Sequence, residues 1–127
     1  MTMQSVFSHT LAFMRKQGGP SMNEDGGCRY RLQVGEQVSH CAVGCNAPTL
    51  NYHENQNYDG QPMLVRDALA LLIPDCSDPD IFWGKLQDCH DSPANTLEGD
   101  PDFQALWVRD FERYMQAFAK RFKLEFK

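Results

Sequence analysis

The feature that most constrains this chain is a wide apolar stripe in its last quarter. Between residues 101 and 122, large apolar side chains recur at steps of three and four, which places them on one side of a helix. They are Phe103, Leu106, Trp107, Phe111, Tyr114, Met115, Phe118 and Phe122. Asp100 and Pro101 suit the cap and first residue of such a helix. Because a stripe this broad must be covered, we predict that residues 101–122 form the main core element.

Three shorter segments also have helical spacing. The first covers residues 2–17 and stops at Gly18-Gly19-Pro20, since glycine suits the left-handed end of a helix and proline cannot continue it. The second covers residues 62–72. The third opens with Asp78-Pro79, has Phe82, Leu86 and Cys89 as its buried stripe, and is expected to end near Asp91-Ser92-Pro93.

Residues 28–43 predict a β-hairpin, because apolar and polar side chains alternate in their first half. Gly35-Glu36 is the natural two-residue tip. This tip pairs Arg31 with His40, Leu32 with Ser39 and Gln33 with Val38, and further out Arg29 with Ala42, Tyr30 with Cys41 and Cys28 with Val43. The register leaves Val38 on the polar side and Ser39 on the apolar side. Residues 44–61 lack a period and predict a long loop, so residues 1–127 predict one α+β domain with about four helices around a small hairpin.

Composition excludes some classes of function. The chain has 127 residues, of which 42% are hydrophobic, so it has enough apolar side chains to form one core. Its net charge of −5 argues against nonspecific binding to nucleic acid or an anionic membrane, which basic surfaces drive. The sequence has no continuous apolar run of about 20 residues and no pattern of a secretory signal. We therefore expect an intracellular protein whose five cysteines are reduced.

Cys28, Cys41 and Cys45 lie near His40 and His53 in the sequence, which raises the question of a metal. Their spacing fits no standard zinc motif, because zinc ligands usually come in short pairs. Buried thiols that act as small apolar groups are the favoured interpretation. Zinc binding and a Cys28–Cys41 disulfide remain open, and no cofactor is expected.

A nucleophilic cysteine is the enzymatic alternative. Cys41 would supply the thiol, His90 the base and Asp91 the acid, with zinc as an optional addition. Adjacent side chains on a helix diverge by about 100°, so Asp91 is expected to be badly placed to orient His90. We therefore lean against an enzyme and predict no catalytic residue, while His90 and Asp91 stay among the candidate binding residues.

Arg29, Tyr30 and Arg31 form the strongest candidate for recognition. Two arginines two positions apart on a strand share one face at about 6–7 Å, a spacing that suits a phosphate or a pair of carboxylates. His40, opposite Arg31, would add a third donor. Salt bridges to acidic residues of this same chain are the competing explanation.

Three pieces of the sequence form a recognisable pattern: Cys28-Arg29-Tyr30-Arg31, Cys41-Ala42-Val43-Gly44-Cys45, and Leu86-Gln87 followed by His90-Asp91. In these pieces and in their order, the chain resembles a group of small proteins encoded in phages, prophages and bacterial genomes. The resemblance covers roughly residues 5–122 and implies a phage or bacterial accessory protein in the cytoplasm of a bacterial cell. Such a protein would bind a host protein or a small anionic ligand, and an anti-defence role belongs to this interpretation. A structural protein that assembles as a homo-oligomer is a further alternative.

Overall fold

The computed structural model describes residues 1–21, 31–46 and 69–127. Their elements are helix α1 (Met3–Gln17), strands β1 (Arg31–Val34) and β2 (Gln37–His40), a 3-10 turn (Gly44–Asn46), and helices α2 (Pro79–Thr96) and α3 (Phe103–Phe122). Residues 69–72 are also helical. This part of the molecule is mostly helical, and one pair of four-residue strands is its sheet. No helix among these residues is long and apolar enough to cross a bilayer.

Helix α1 ends at Gln17, as the sequence predicts, and begins at Met3, one residue after the predicted start. Thr2 and Ser5 form a reciprocal capping box, in which each side chain accepts a hydrogen bond from the other's backbone N–H. The Asp75 carboxylate also accepts from the backbone N–H of Met3 at 3.1 Å, so an anion from a distant loop stabilises the positive end of the helix dipole. Gly18 ends the helix with a φ of 74°, and its N–H donates to the Met14 carbonyl.

The core lies where α2 and α3 meet α1. Trp107, Phe111, Met115, Phe118 and Ala119 are the buried residues of α3, and Phe82 of α2 packs its ring 5.1 Å from that of Phe118. Phe118 also stacks on Phe7 of α1 at 5.7 Å, so this one ring touches aromatic side chains of both neighbouring helices. The predicted role of the last helix as the main core element agrees with this burial.

One predicted member of the α3 stripe and the start of the helix differ from the prediction. Tyr114 is 42% exposed, because it lies at the flank of the stripe, where its hydroxyl stays in water. The helix begins at Phe103 rather than Pro101. The Asp100 carboxylate accepts from the backbone N–H of Asp102 at 2.8 Å, which holds residues 100–102 in a turn before the helix.

Helix α2 continues past its predicted end. Pro93 lies inside the helix, which runs to Thr96. Pro93 and Ala94 are both buried, and the backbone N–H of Leu97 donates to the Pro93 carbonyl at 3.0 Å. The burial of this last turn offsets the hydrogen bond that a proline removes.

The hairpin has the predicted tip and register but is shorter than predicted. Gly35, with a φ of 63°, and Glu36 form the turn, and Arg31 pairs with His40 as expected. The second strand ends at His40 because Cys41 enters a turn: its carbonyl accepts from the N–H of Cys45 at 3.0 Å. Asn46 reinforces this turn by donating its side-chain amide to the Ala42 carbonyl at 2.8 Å. The predicted strand pairings of Cys41, Ala42 and Val43 were therefore wrong.

Candidate functional site

The predicted recognition residues divide between the described and the remaining parts of the chain. Arg29 and Tyr30 lie outside the described residues. Arg31 opens β1 and lies directly opposite His40 in the backbone pairing, as the predicted register requires. His40 is half-buried, with its ring 5.6 Å from that of Phe13 in an edge-on arrangement.

His40 is held by α1 through its backbone. The side-chain amide of Gln17 accepts from the His40 N–H and donates to the His40 carbonyl, both at 2.9 Å. These two hydrogen bonds replace the ones that a neighbouring strand would form with the same backbone groups. Gln17 also donates to the Gly19 carbonyl at 2.8 Å, so one side chain joins the end of α1, the following loop and the edge of β2.

His90 fixes the other end of the same loop. Its side chain is fully buried on α2, and its Nε2 accepts from the backbone N–H of Ser21 at 2.9 Å. Ser21 is itself buried, and its hydroxyl accepts from the Ser39 hydroxyl at 3.1 Å. Residues 18–21 are therefore secured between β2 and α2, and Ser39, the residue that disturbed the alternation of the strand, forms the contact with this loop.

The relation of His90 to Asp91 is the reverse of the prediction. His90 Nδ1 lies 2.7 Å from Asp91 Oδ1, although the two side chains are adjacent on the helix. The contact forms because Nδ1 is the ring nitrogen close to the backbone, within reach of a short aspartate. Since Nε2 accepts from Ser21, the ring proton is assigned to Nδ1, which donates to Asp91. The predicted misplacement of Asp91 was therefore wrong.

Gln87 completes this network on α2. Its side-chain amide donates to Asp91 Oδ1 at 2.8 Å and accepts from the backbone N–H of Val43 at 3.3 Å. Trp107 of α3 donates its indole N–H to the His90 carbonyl at 3.0 Å, and its ring meets the imidazole edge-on. His90 and Asp91 thus connect four parts of the chain: residues 18–21, the turn after β2, helix α2 and helix α3.

Cys41 is buried next to these residues in a setting that keeps it protonated. Burial raises the pKa of the Cys41 thiol to about 12, an effect that the hydrogen bond from the Gly44 N–H opposes. Burial likewise raises the pKa of Cys45 to about 12. A thiol with such a pKa is a poor nucleophile near neutral pH, because only the thiolate attacks.

The residues of the metal hypothesis are only partly described. Cys41 and Cys45 are buried free thiols, whereas Cys28 and His53 lie outside the described residues. Over residues 1–21, 31–46 and 69–127, no three His, Cys, Asp or Glu side chains are grouped as metal ligands would be. The backbone carbonyl of Cys45 is instead 3.0 Å from His9 Nε2.

A cleft of about 360 Å³ opens between β2 and the loop after α1. The described residues that line it are uncharged: Gln17, Gly19, Pro20, Gln37, Val38, Ser39 and Gln104. A second depression beside Phe103 and Pro101 shares Gly19, Pro20 and Gln104 with it. The predicted site residues His40, His90 and Asp91 do not line the cleft. They determine its shape, because they hold the strand and the loop that form its walls.

Sequence reasoning overlooked the residues that build this cleft. Gln17 and Gln104 are ordinary surface types in the sequence, and Ser21 stands in a loop rich in turn formers. Two features of the sequence could have pointed to this region. Gln87 and Asp91 are four residues apart, which places them on one side of a helix. Val38 interrupts the polar side of its strand, and this side chain is 41% exposed beside the cleft.

Comparison of the chain with protein-family models, with curated proteins and with solved structures gave no match.

Proposed function

We propose that this protein is a non-enzymatic accessory protein of phage type that acts in the cytoplasm of a bacterial cell by binding a host protein. The resemblance of its three sequence pieces motivates the phage context and the anti-defence role. The proposal includes the α+β class, in which the hairpin is the recognition element. Arg29 and Arg31 would also suit a small anionic ligand, which is the alternative partner.

One observation carries the non-enzymatic part of the proposal. The residues that an enzyme of the Cys41, His90 and Asp91 type would use are occupied with holding the fold together. His90 has both ring nitrogens in hydrogen bonds within the protein, and Cys41 is buried with its pKa raised to about 12. A general base needs a free ring nitrogen within reach of the proton it removes.

Unlike these buried residues, the hairpin offers an exposed surface for binding. Residues 35–38 are exposed at its tip, and Arg31 stands at its base opposite His40. A protein partner that carries a pair of carboxylates would suit Arg29 and Arg31, since guanidinium groups bind carboxylates with two parallel hydrogen bonds. We therefore assign the recognition face to the hairpin and to the two arginines before and within β1.

The test is a double substitution, Arg29→Ala with Arg31→Ala, followed by capture of partners from host lysate. We expect the free energy of unfolding to change by less than about 1 kcal/mol, because exposed ion pairs contribute little. Capture of the host partner should be lost. The matched control is Arg109→Ala with Arg113→Ala, two exposed arginines on α3, which should leave capture unchanged.

Two results would contradict the proposal. A double variant that loses several kcal/mol would show arginines buried in ion pairs, whose removal leaves a charge uncompensated. A stable double variant that captures the same host protein would show that the recognition face lies elsewhere.

A further inference from the structure

The outer edge of β2 has a backbone geometry that follows from the hairpin tip. In a hairpin with a two-residue turn, the residues that flank the turn, Val34 and Gln37, form a hydrogen-bonded pair. Hydrogen-bonded and non-hydrogen-bonded pairs then alternate along an antiparallel ladder. Gln33–Val38 and Arg31–His40 are therefore non-hydrogen-bonded pairs. The N–H and C=O groups of Val38 and His40 point away from β1, toward the outer edge.

The contacts of His40 confirm this direction. Both of its outward backbone groups pair with the side-chain amide of Gln17. Val38 is one step along the same edge and lines the cleft together with Gln17. Within the described residues, the outward N–H and C=O of Val38 have no such partner. The cleft thus exposes one strand position that is ready to pair with another backbone.

Edge strands that must not pair with other chains usually carry a lysine, a proline or an inward-facing charge. Strand β2 reads Gln37, Val38, Ser39 and His40 and has none of these residues. Among the described residues, the Gln17 side chain pairs with the outward backbone groups of His40 and leaves those of Val38 open. The exposed valine side chain adds apolar surface at that position.

We propose that the outer edge of β2 binds an extended, uncharged segment of a partner protein, which adds as a strand at Val38. Main-chain hydrogen bonds supply affinity in this mode, and flanking pockets select side chains. The segment is uncharged because no described residue that lines the cleft carries a charge, although the chain has 12 basic and 17 acidic residues. A charged side chain would lose water there without gaining an opposite charge. This surface is additional to the arginine face.

The probe is a displayed library of random heptapeptides, selected against the full chain and then synthesised. We expect the selected peptides to lack charge at their central positions. Val38→Pro should weaken their binding by about tenfold or more, since it removes the outward donor. That N–H takes no part in the β1–β2 ladder, so the hairpin keeps all its hydrogen bonds. Val38→Thr, which keeps the N–H and the branched shape, should change the dissociation constant by less than about threefold.

Two measurements on the unaltered protein keep the test decisive if Val38→Pro disturbs the fold. Methylating single backbone nitrogens of a selected peptide should weaken binding at alternate residues, because every second residue of an added strand faces β2. The Val38 amide should exchange rapidly with solvent in the free protein and slowly with peptide bound.

Several results would overturn the proposal. These are the absence of any selected binder, binding that ignores both Val38→Pro and peptide methylation, and a Val38 amide already protected in dilute free protein. A dimer that Val38→Pro abolishes would assign the edge to a second copy of this chain instead. The arginine variants are tested by capture of a host protein, whereas the Val38 variants are tested by peptide binding. The proposal for the arginine face and the proposal for the β2 edge can therefore fail independently of each other.

Discussion

Replacing His90 with phenylalanine tests whether the loop after α1 is held by a specific hydrogen bond or by packing alone. The imidazole is fully buried, and it gives Ser21 its acceptor at 2.9 Å and Asp91 its donor at 2.7 Å. Phenylalanine keeps a ring of similar size beside Trp107 and removes both bonds. The comparison therefore separates hydrogen bonding from the loss of volume.

The expected cost comes mainly from Ser21. Its backbone N–H would remain buried without an acceptor, which costs about 1–3 kcal/mol. The Asp91 side chain is 31% exposed and keeps its bond from Gln87, so water replaces the lost donor at little cost. We expect His90→Phe to lower the free energy of unfolding by about 2 kcal/mol. Urea denaturation, followed by circular dichroism and tryptophan fluorescence, measures this change.

Two control variants complete the test. His90→Gln places an amide oxygen near the position of Nε2 and should recover at least half of the lost stability. Asp91→Asn keeps an oxygen that accepts from His90 and Gln87, and it should cost less than about 1 kcal/mol. If His90→Phe costs less than about 0.5 kcal/mol, or if His90→Gln costs as much as His90→Phe, the hydrogen bond to Ser21 does not hold the loop.

Three further outcomes are expected. Trp107→Ala should lower the free energy of unfolding, measured by urea denaturation, by about 3–5 kcal/mol, because the ring is fully buried and stacked on Phe111. Tyr114→Ala, on the exposed flank of the same helix, should lower it by less than about 1 kcal/mol. The free energy of unfolding should fall as pH rises from about 9 to about 12. Unfolded thiols lose their protons near pH 9, whereas burial raises the pKa of Cys41, Cys45 and Cys89 to about 12. Cys41→Ala should make this fall less steep, and an unchanged dependence of the unfolding free energy on pH would contradict the explanation. Thiol counting in denaturant without reductant should find all five cysteines free, and elemental analysis should find less than one equivalent of zinc, with three thiols or stoichiometric zinc as the opposing results.

The amino-acid sequence by itself determined the features that depend on near neighbours. The capped start of α1 at Thr2, its end at Gly18 and the hairpin tip at Gly35 follow from local backbone preferences, which act over a few residues. The stripe of α3 follows from a period that any helix must have. The register of Arg31 with His40 then follows from the tip, because a hairpin turn sets the pairing of both strands.

The tertiary structure decided everything that joins distant residues. The end of α2 beyond Pro93 depends on burial, and the end of β2 depends on a turn that Asn46 stabilises. Ser21 and His90 are 69 positions apart, so their hydrogen bond leaves no trace in any local pattern. The cleft beside Val38 exists only because this bond and the Gln17 pairing hold a loop against a strand edge. Such contacts arise from the packing of separate elements, and packing is set by the whole chain rather than by any segment of it.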